Sequence, residues 1–175
     1  MMMLAMVVVV LTTDLGKIEL QLDQSHAPLT TANFMQYVSD GFYDGGGFFR
    51  TVTSTNQPLD KIKIAVVQAT ANPERKETDP AIKLERTSVT GLKHKDGTVS
   101  MARSAPDTAT LDFFICVGDQ PELDFGGKRN PDGQGFAAFG KVTSGMDIVR
   151  KIHASNAEGQ RLTPPIKILK AEIKK

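Results

Sequence analysis

The sequence has little cysteine and almost no net charge, and both shortages restrict what it can do. Its single cysteine, Cys116, cannot close an intramolecular disulfide, so a hydrophobic core has to stabilise the fold. The 21 Lys and Arg residues are balanced by 20 Asp and Glu residues, which leaves a net charge of +1. A field this weak does not gather a phosphate backbone, so nucleic acid is not an expected partner.

Long hydrophobic runs are also missing. Residues 1–11 are all apolar, but a helix needs about 20 residues to cross a bilayer, so no membrane span is expected. A secretory signal has Lys or Arg before its apolar region, and none precedes this run. The β-branched valines at 7–10 predict a first strand buried on both sides. The expected location is the cytoplasm, or the periplasm if a leader was removed.

The motifs of several enzyme classes are absent. The three histidines, His26, His94 and His153, show no metal-ligand spacing, and the sequence has no nucleophile elbow, Walker loop or dinucleotide fingerprint. Cys116 lies in an apolar run, which favours a buried thiol that packs as a small hydrophobe. The alternative, a nucleophilic role, needs a base that the sequence does not place nearby.

The pattern of apolar residues predicts a mainly β domain that spans 1–175. Strict alternation at 18–22 makes a hairpin with the first strand. Further strands are predicted at 48–52, 62–67, 98–102, 112–117, 136–142 and 166–173. Pro164 and Pro165 are predicted to end the loop before the last strand.

Two helices interrupt the strands. Pro28 opens a segment in which Phe34 and Val38 lie four residues apart and Gly41 follows, which predicts a short amphipathic helix. Ser144 has the spacing of an N-cap for a second helix. About eight strands and two helices favour a closed antiparallel barrel, since closure removes exposed strand edges, and the helices would cap its open ends.

The polar stretch 70–96 is predicted to be a long surface excursion rather than a linker, because no independent core follows it. Leu84, Val89 and Leu92 are its candidate anchors.

Arg50 is unusual because it follows two phenylalanines inside a predicted strand. Simple alternation puts its side chain on the same face as Phe48 and opposite to Phe49. Its guanidinium either extends to solvent or is placed to bind something.

Around Arg50, a series of segments resembles, in order, the motifs of the cyclophilin family of peptidyl-prolyl isomerases, in its bacterial-like form. They are GFYDG at 41–45, VVQ at 66–68, GTVSMAR at 97–103, FFI at 113–115, and FGKV at 139–142 with GM at 145–146. The similarity spans nearly the whole chain.

The resemblance implies a closed eight-stranded antiparallel barrel capped by two α-helices, with a packed interior and a substrate groove on the outside. It implies cis/trans rotation of X-Pro amides, whose barrier of about 18 to 20 kcal/mol comes from amide resonance. Such catalysis needs neither nucleophile nor metal, so no cofactor is expected. The implied partners are proline-containing polypeptides, and nothing in the sequence indicates an oligomer, so a monomer is expected.

The resemblance also implies roles for individual residues. The catalytic set is Arg50, Gln68 and Phe114, with Gln68 either contacting the rotating group or orienting Arg50. The substrate-binding set is Val66, Ala102, Arg103, Asp112, Leu123 and Phe136, where Ala102 and Arg103 act through their backbone.

Several positions depart from the family pattern. Asp112 stands for a glutamine, Ala65-Val66 for Phe-Met, Ala69-Thr70 for Gly-Gly, Glu122 for a tryptophan and Phe136 for a histidine. We expect an active enzyme with a changed rate or preference and weak binding of cyclosporin. The alternative is a catalytically weak proline-peptide-binding module or chaperone on the same fold. A third possibility, a barrel that binds a small molecule inside, conflicts with the many bulky phenylalanines.

Overall fold

The computed structural model describes residues 6–174, and most of its regular elements are strands. In chain order the elements are β1 (Val7–Thr13), β2 (Gly16–Leu22), α1 (Pro28–Ser39), β3 (Gly47–Val52), β4 (Val66–Thr70), α2 (Thr87–Thr90), β5 (Thr98–Met101), β6 (Phe113–Cys116), β7 (Ala137–Ser144), α3 (Met146–His153), β8 (Ala157–Glu158) and β9 (Arg161–Ile173).

Eight of these strands close into a ring. Their order is β1-β2-β7-β5-β6-β4-β3-β9, every pairing is antiparallel, and β1 pairs with β9 to complete the barrel. The two-residue β8 pairs only with the start of β9. Closure leaves the eight barrel strands without a free edge. The predicted eight-stranded antiparallel barrel is confirmed.

The first hairpin forms where the alternation predicts it. β1 pairs with β2 from Val7 opposite Leu22 to Thr13 opposite Gly16. Burial alternates along β1, because Val9 and Leu11 enter the core while the valines on either side of Val9 are only half-buried. The prediction that both faces of this strand are buried was therefore wrong. Residues 1–5, the start of the apolar run at 1–11, lie outside the described residues.

Both predicted helices are present. Helices α1 and α3 each insert apolar side chains into the barrel core, as helices that cap its ends must. The predicted N-cap of α3 was wrong by one residue, because β7 continues through Ser144 and Gly145 occupies the cap position. The short helix α2 was not predicted. Within residues 6–174, no helix is long and apolar enough to cross a bilayer.

The excursion at 70–96 is held to the barrel by polar contacts. Glu85 accepts hydrogen bonds from the backbone N–H groups of Leu29 and Thr30 at the start of α1, at 3.2 and 2.6 Å. Those N–H groups have no partner within the helix, and a carboxylate is favoured there. Val89 was predicted as an anchor, but it is 85% exposed.

Two strands begin several residues away from their predicted starts. The strand predicted at 62–67 begins only at Val66, because the preceding connector is organised by the Gln57 side chain, which bonds the backbone of Thr53 and Ile64. The pair Pro164 and Pro165 lies inside β9 instead of ending a loop. The two prolines lie between the two stretches of β9 that pair with β3. Their missing N–H groups therefore break no hydrogen bond of that pairing.

The barrel has a core inside and a smaller apolar cluster outside. The rings of Phe34, Tyr43, Phe113 and Phe139 pack together in the interior. The outer cluster consists of Val52, Ile64, Val66, Phe114, Cys116 and Leu123. Neighbouring residues of a strand face opposite sides, so β6 sends Phe113 inward and Phe114 outward.

Candidate active site

The candidate site lies on the outer wall of the barrel, where a row of paired residues crosses four strands. Arg50 on β3 is opposite Gln68 on β4, Gln68 is opposite Phe114 on β6, and Phe114 is opposite Ser100 on β5. Strand register alone therefore brings the three predicted catalytic residues into one row.

A bulge in β3 determines the direction of Arg50. Phe48 pairs with Ala69 and Arg50 with Gln68, so the pairing shifts at Phe49. The extra residue reverses the alternation, so that Phe48 is buried inside the barrel while Arg50 faces the outer cavity. The prediction that Arg50 shares a face with Phe48 was wrong for this reason.

Two amide side chains hold the Arg50 guanidinium. Its Nε donates to Gln160 Oε1 and its Nη1 to Gln68 Oε1, each at 2.9 Å. Within residues 6–174 it forms no ion pair with a carboxylate. Burial, and then the charge of Arg129, lowers the pKa of Arg50 from its ordinary value. An arginine stays protonated in proteins, so the Nη2 donors remain for a ligand.

The Asp112 carboxylate orients the amide of Gln68. Gln68 Nε2 donates to Asp112 Oδ2 at 3.3 Å, which leaves the Gln68 carbonyl oxygen directed at Arg50. Asp112 does not line the cavity that holds Arg50. It borders a neighbouring cavity instead, together with Thr70 and Thr110.

The cavity has an apolar floor. It has a volume of about 280 Å³. It is lined by Arg50, Ile64, Val66, Gln68, Ala102, Arg103, Phe114, Leu123, Arg129, Asn130, Pro131 and Phe136. The Phe136 ring meets Phe114 edge-on, with centroids 5.5 Å apart. Every residue of the predicted site except Asp112 is therefore brought to this cavity.

A buried polar chain lies under Phe114. His94 stacks on Phe114 with ring centroids 6.0 Å apart, and its two ring nitrogens lie 2.7 Å from Asp124 Oδ1 and 2.9 Å from Ser100 Oγ. The order Ser-His-Asp resembles that of a hydrolase triad, but Ser100 is fully buried. A nucleophile must reach its substrate, so this chain supports the Phe114 ring.

Arg103 shapes one wall through its side chain. It pairs with both carboxylate oxygens of Asp132 at 2.9 and 3.1 Å, donates to the Gly135 carbonyl, and its Cζ lies 4.8 Å from the Phe136 ring centroid. The backbone predicted to bind peptide is partly occupied, because Ala102 donates its N–H to the backbone carbonyl of Asp112 at 3.0 Å. The Ala102 carbonyl and the Arg103 N–H have no partner among the described residues.

Sequence reasoning missed several residues at the site. Ile64, Arg129, Asn130 and Pro131 come from two loops, and Gln160 comes from the turn between β8 and β9. The loop at 126–133 was recognised only by its composition, and no local pattern shows which cavity a loop residue will reach.

Glu122 turns into its own loop. Its carboxylate accepts the Lys128 N–H at 2.7 Å, and it does not line the Arg50 cavity. Weak cyclosporin binding remains a prediction.

Comparisons with known proteins agree on one family. The family model described as cyclophilin type peptidyl-prolyl cis-trans isomerase/CLD matches residues 8–173. Peptidyl-prolyl cis-trans isomerase A of Dickeya dadantii is 39% identical over 154 residues, which cover 86% of this chain and 73% of that protein. Peptidyl-prolyl cis-trans isomerase cyp18 of Streptomyces antibioticus is 32% identical and covers 93% of this chain and 96% of its own.

Solved structures show the same fold. A crystal structure of a Cryptosporidium parvum cyclophilin type peptidyl-prolyl cis-trans isomerase has a TM-score of 0.78 at 18% identity, covering 98% of this chain and 99% of that one. A second crystal structure of that protein, in the presence of the dipeptide Ala-Pro, has a TM-score of 0.77 at 19% identity and covers 96% and 99% of the two chains.

Proposed function

Since the chain belongs to the cyclophilin-type peptidyl-prolyl cis-trans isomerases, it catalyses rotation about X-Pro amide bonds, and we propose that Arg50 supplies the catalysis. The observation that carries the proposal is the fixed position of its guanidinium over an apolar floor. Gln68 and Gln160 each accept one of its N–H groups, and the Nη2 donors are left for the substrate.

The chemistry follows from what rotation does to the amide. When the amide twists, conjugation is lost, and the prolyl nitrogen becomes pyramidal with a basic lone pair. A donor near that nitrogen stabilises the twisted state more than the planar state, which lowers the barrier. The donor is already held in place, so little reorganisation is needed at the moment of rotation.

The apolar floor would hold the proline ring. Phe114 and Leu123 are buried and Phe136 is half-exposed, so a ring placed on them stays fixed while the acyl side turns. The free Ala102 carbonyl and Arg103 N–H would bind the peptide backbone beside it. The Ala-Pro dipeptide named with the Cryptosporidium structure belongs to the same class of ligand. Lowering the barrier by about 7 kcal/mol would accelerate rotation roughly 10⁵-fold.

We propose unfolded or newly made polypeptides as the substrates. The site is an open cavity on the barrel wall, which suits an extended chain. Uncatalysed X-Pro isomerisation takes tens of seconds and limits the folding of many proteins. The enzyme should therefore shorten the slow refolding phase of a test protein whose folding is limited by a proline bond.

The Arg50→Ala variant tests the mechanism. We expect kcat/KM on a short Ala-Pro peptide, measured by NMR exchange, to fall by roughly 10²- to 10³-fold, the usual cost of losing a transition-state donor. Arg50→Lys keeps the charge but loses the donor fork, so it should recover only a small part of the activity.

Circular dichroism should show an intact fold in both variants. An Arg50→Ala variant with wild-type activity would refute the role of Arg50. A wild-type protein no faster than buffer would leave only a proline-peptide-binding module.

A further inference from the structure

The Arg50 cavity contains three arginines and, among the residues that the structure describes, no carboxylate in its lining. The charge of Arg103 is neutralised by a bidentate ion pair with Asp132. Arg129 has a weaker partner, since its Nη2 lies 3.4 Å from Asp60 Oδ2 and the Asp60 side chain is 45% exposed. The positive charges of Arg50 and Arg129 are therefore opposed by one solvated carboxylate, Asp60, which lies outside the cavity lining.

Arg129 is held at the cavity wall through both of its Nη groups. Its Nη1 donates to Gln57 Oε1 at 2.7 Å and to the Ile62 carbonyl at 2.6 Å, which ties the 126–133 loop to the connector after β3. Within residues 6–174 its Nε has no hydrogen-bond partner. The Arg129 side chain is 12% exposed, so its position is defined while the Nε donor remains free.

The two guanidiniums of Arg50 and Arg129 act on each other. After burial, the charge of Arg129 is the second cause that lowers the pKa of Arg50, while Asp60 acts in the opposite direction. A negative group entering the cavity would relieve this repulsion. A neutral peptide of the same shape would not.

We propose that Arg129 makes this isomerase prefer X-Pro peptides with an acidic side chain on the residue next to the proline. This inference rests on the proposed function, because it assumes that the proline is held beside Arg50. Residues next to the proline are only about 3.5 Å away along the chain. A glutamate there would reach the same cavity, where its carboxylate could accept a charge-assisted hydrogen bond from the free Nε–H of Arg129.

The test compares matched peptides by NMR exchange spectroscopy. One pair of blocked peptides carries Glu or Gln immediately before the proline, and a second pair carries Glu or Gln immediately after it. In at least one pair we expect kcat/KM for the Glu peptide to exceed that for the Gln peptide by about two- to fivefold, as for a half-exposed ion pair. The ratio should fall towards one in roughly 1 M salt, where charges are screened.

Two substitutions should move this ratio in opposite directions. Arg129→Gln removes the positive charge and should bring the Glu-to-Gln ratio close to one. Asp60→Asn removes the competing carboxylate and should raise the ratio above that of the wild type. A general loss of stability or activity lowers kcat/KM for the Glu and the Gln peptide together. It therefore does not shift their ratio in opposite directions in the two variants.

Lys128→Gln is the matched control. Lys128 precedes Arg129 in the same loop, is exposed and carries the same charge, but does not line the cavity. We expect it to leave the ratio unchanged. A ratio that falls as far in Lys128→Gln as in Arg129→Gln would overturn the assignment to Arg129.

The outcomes separate the inference from the proposed function. Equal rates for Glu and Gln peptides in both wild-type pairs, each faster than buffer, would overturn the acidic preference and leave the isomerase intact. No acceleration of any peptide would overturn both. If Arg129→Gln does not fold, an unchanged ratio in Asp60→Asn still refutes the proposal, and a raised ratio supports it.

Discussion

At the scale of single residues, the orientation of Arg50 depends on two amides from distant parts of the chain. Gln68 comes from the neighbouring strand β4, whereas Gln160 lies 110 positions after Arg50 in the sequence. Gln160 also donates from Nε2 to the Asn56 carbonyl at 3.1 Å, which fixes its own amide. Gln160 does not line the cavity, so it acts on the substrate through Arg50 and is a positioning residue.

Replacing Gln160 by Met should lower kcat with little change in KM. A hydrogen bond to a charged group is worth about 1.5 to 3 kcal/mol, so we expect a loss of roughly ten- to 150-fold. Gln160→Glu keeps an acceptor for Arg50 and should retain more of the kcat than Gln160→Met. Peptide exchange rates at several substrate concentrations give both constants. A rise in KM without loss of kcat would contradict a positioning role.

The buried environment of Cys116 leads to a second prediction at this scale, which concerns stability at high pH. Its thiol is fully buried in the outer apolar cluster. Burial, followed by the charges of Asp124, Asp96 and Asp119, raises the pKa of Cys116. The native thiol therefore keeps its proton at pH values where the unfolded thiol, with a pKa of about 8.5, loses it.

This difference should make the protein less stable in alkali. The stabilising contribution is complete below the unfolded pKa and declines as the pH rises towards the folded pKa. Cys116→Val lacks this titration, so the stability of the wild type relative to Cys116→Val should fall by up to about 1.4 kcal/mol per pH unit above pH 8.5. Urea unfolding between pH 7 and 10 measures it. A constant difference would contradict the assignment.

At the scale of elements, the segment at 122–135 forms one wall of the cavity, to which it contributes Leu123, Arg129, Asn130 and Pro131. The Gly135 carbonyl accepts hydrogen bonds from Arg103 Nε at 3.0 Å and Nη2 at 2.6 Å. Gly135 has a φ of +70°, and a Cβ there would lie 2.6 Å from the Asp124 carbonyl carbon. Only glycine fits both the backbone angle and the close approach.

Gly135→Ala should therefore loosen this wall. We expect a loss of stability of about 1 to 3 kcal/mol from the strained backbone, with a raised KM because Phe136 follows directly. Gly133→Ala is the matched control, since Gly133 has a φ of +67° but open space around its Cβ position. Urea unfolding and peptide kinetics measure the two effects. Equal KM values in the two variants would contradict the role of the close approach.

At the scale of the whole molecule, the barrel depends on aromatic packing that joins helix α1 to the strands. The Phe34 ring on α1 has centroid distances of 5.2 Å to Tyr43, 5.1 Å to Phe113 and 5.3 Å to Phe139. Strand β6 also supports the active site, because Phe113 in the core directly precedes Phe114 in the cavity lining. Stability of the core and geometry of the site are therefore linked.

Phe34→Ala should remove much of the stability of the domain. Truncating a buried phenylalanine costs about 3 to 5 kcal/mol, a large share of the roughly 5 to 15 kcal/mol that a domain possesses. Val89→Ala, at an exposed position, should cost less than about 0.5 kcal/mol. Urea unfolding compares them. A small loss for Phe34→Ala would show that the core tolerates a cavity here.

The sequence by itself determined the barrel and the inner face of its alternating strand. The alternation at 18–22 specifies which side chains of β2 turn inward, because strand periodicity is a local property. The segments around Arg50, Gln68 and Phe114 were recognisable for the same reason, since each motif lies within a few consecutive residues.

Only the tertiary structure decided how the outer wall is completed. A bulge at Phe49, which depends on pairing with β4, turns Arg50 away from the interior. Gln160 and Arg129 reach the site from loops whose paths are set by contacts with distant segments. Strand periodicity carries no information about such contacts, because the energy that positions a loop residue comes from partners far away in the chain.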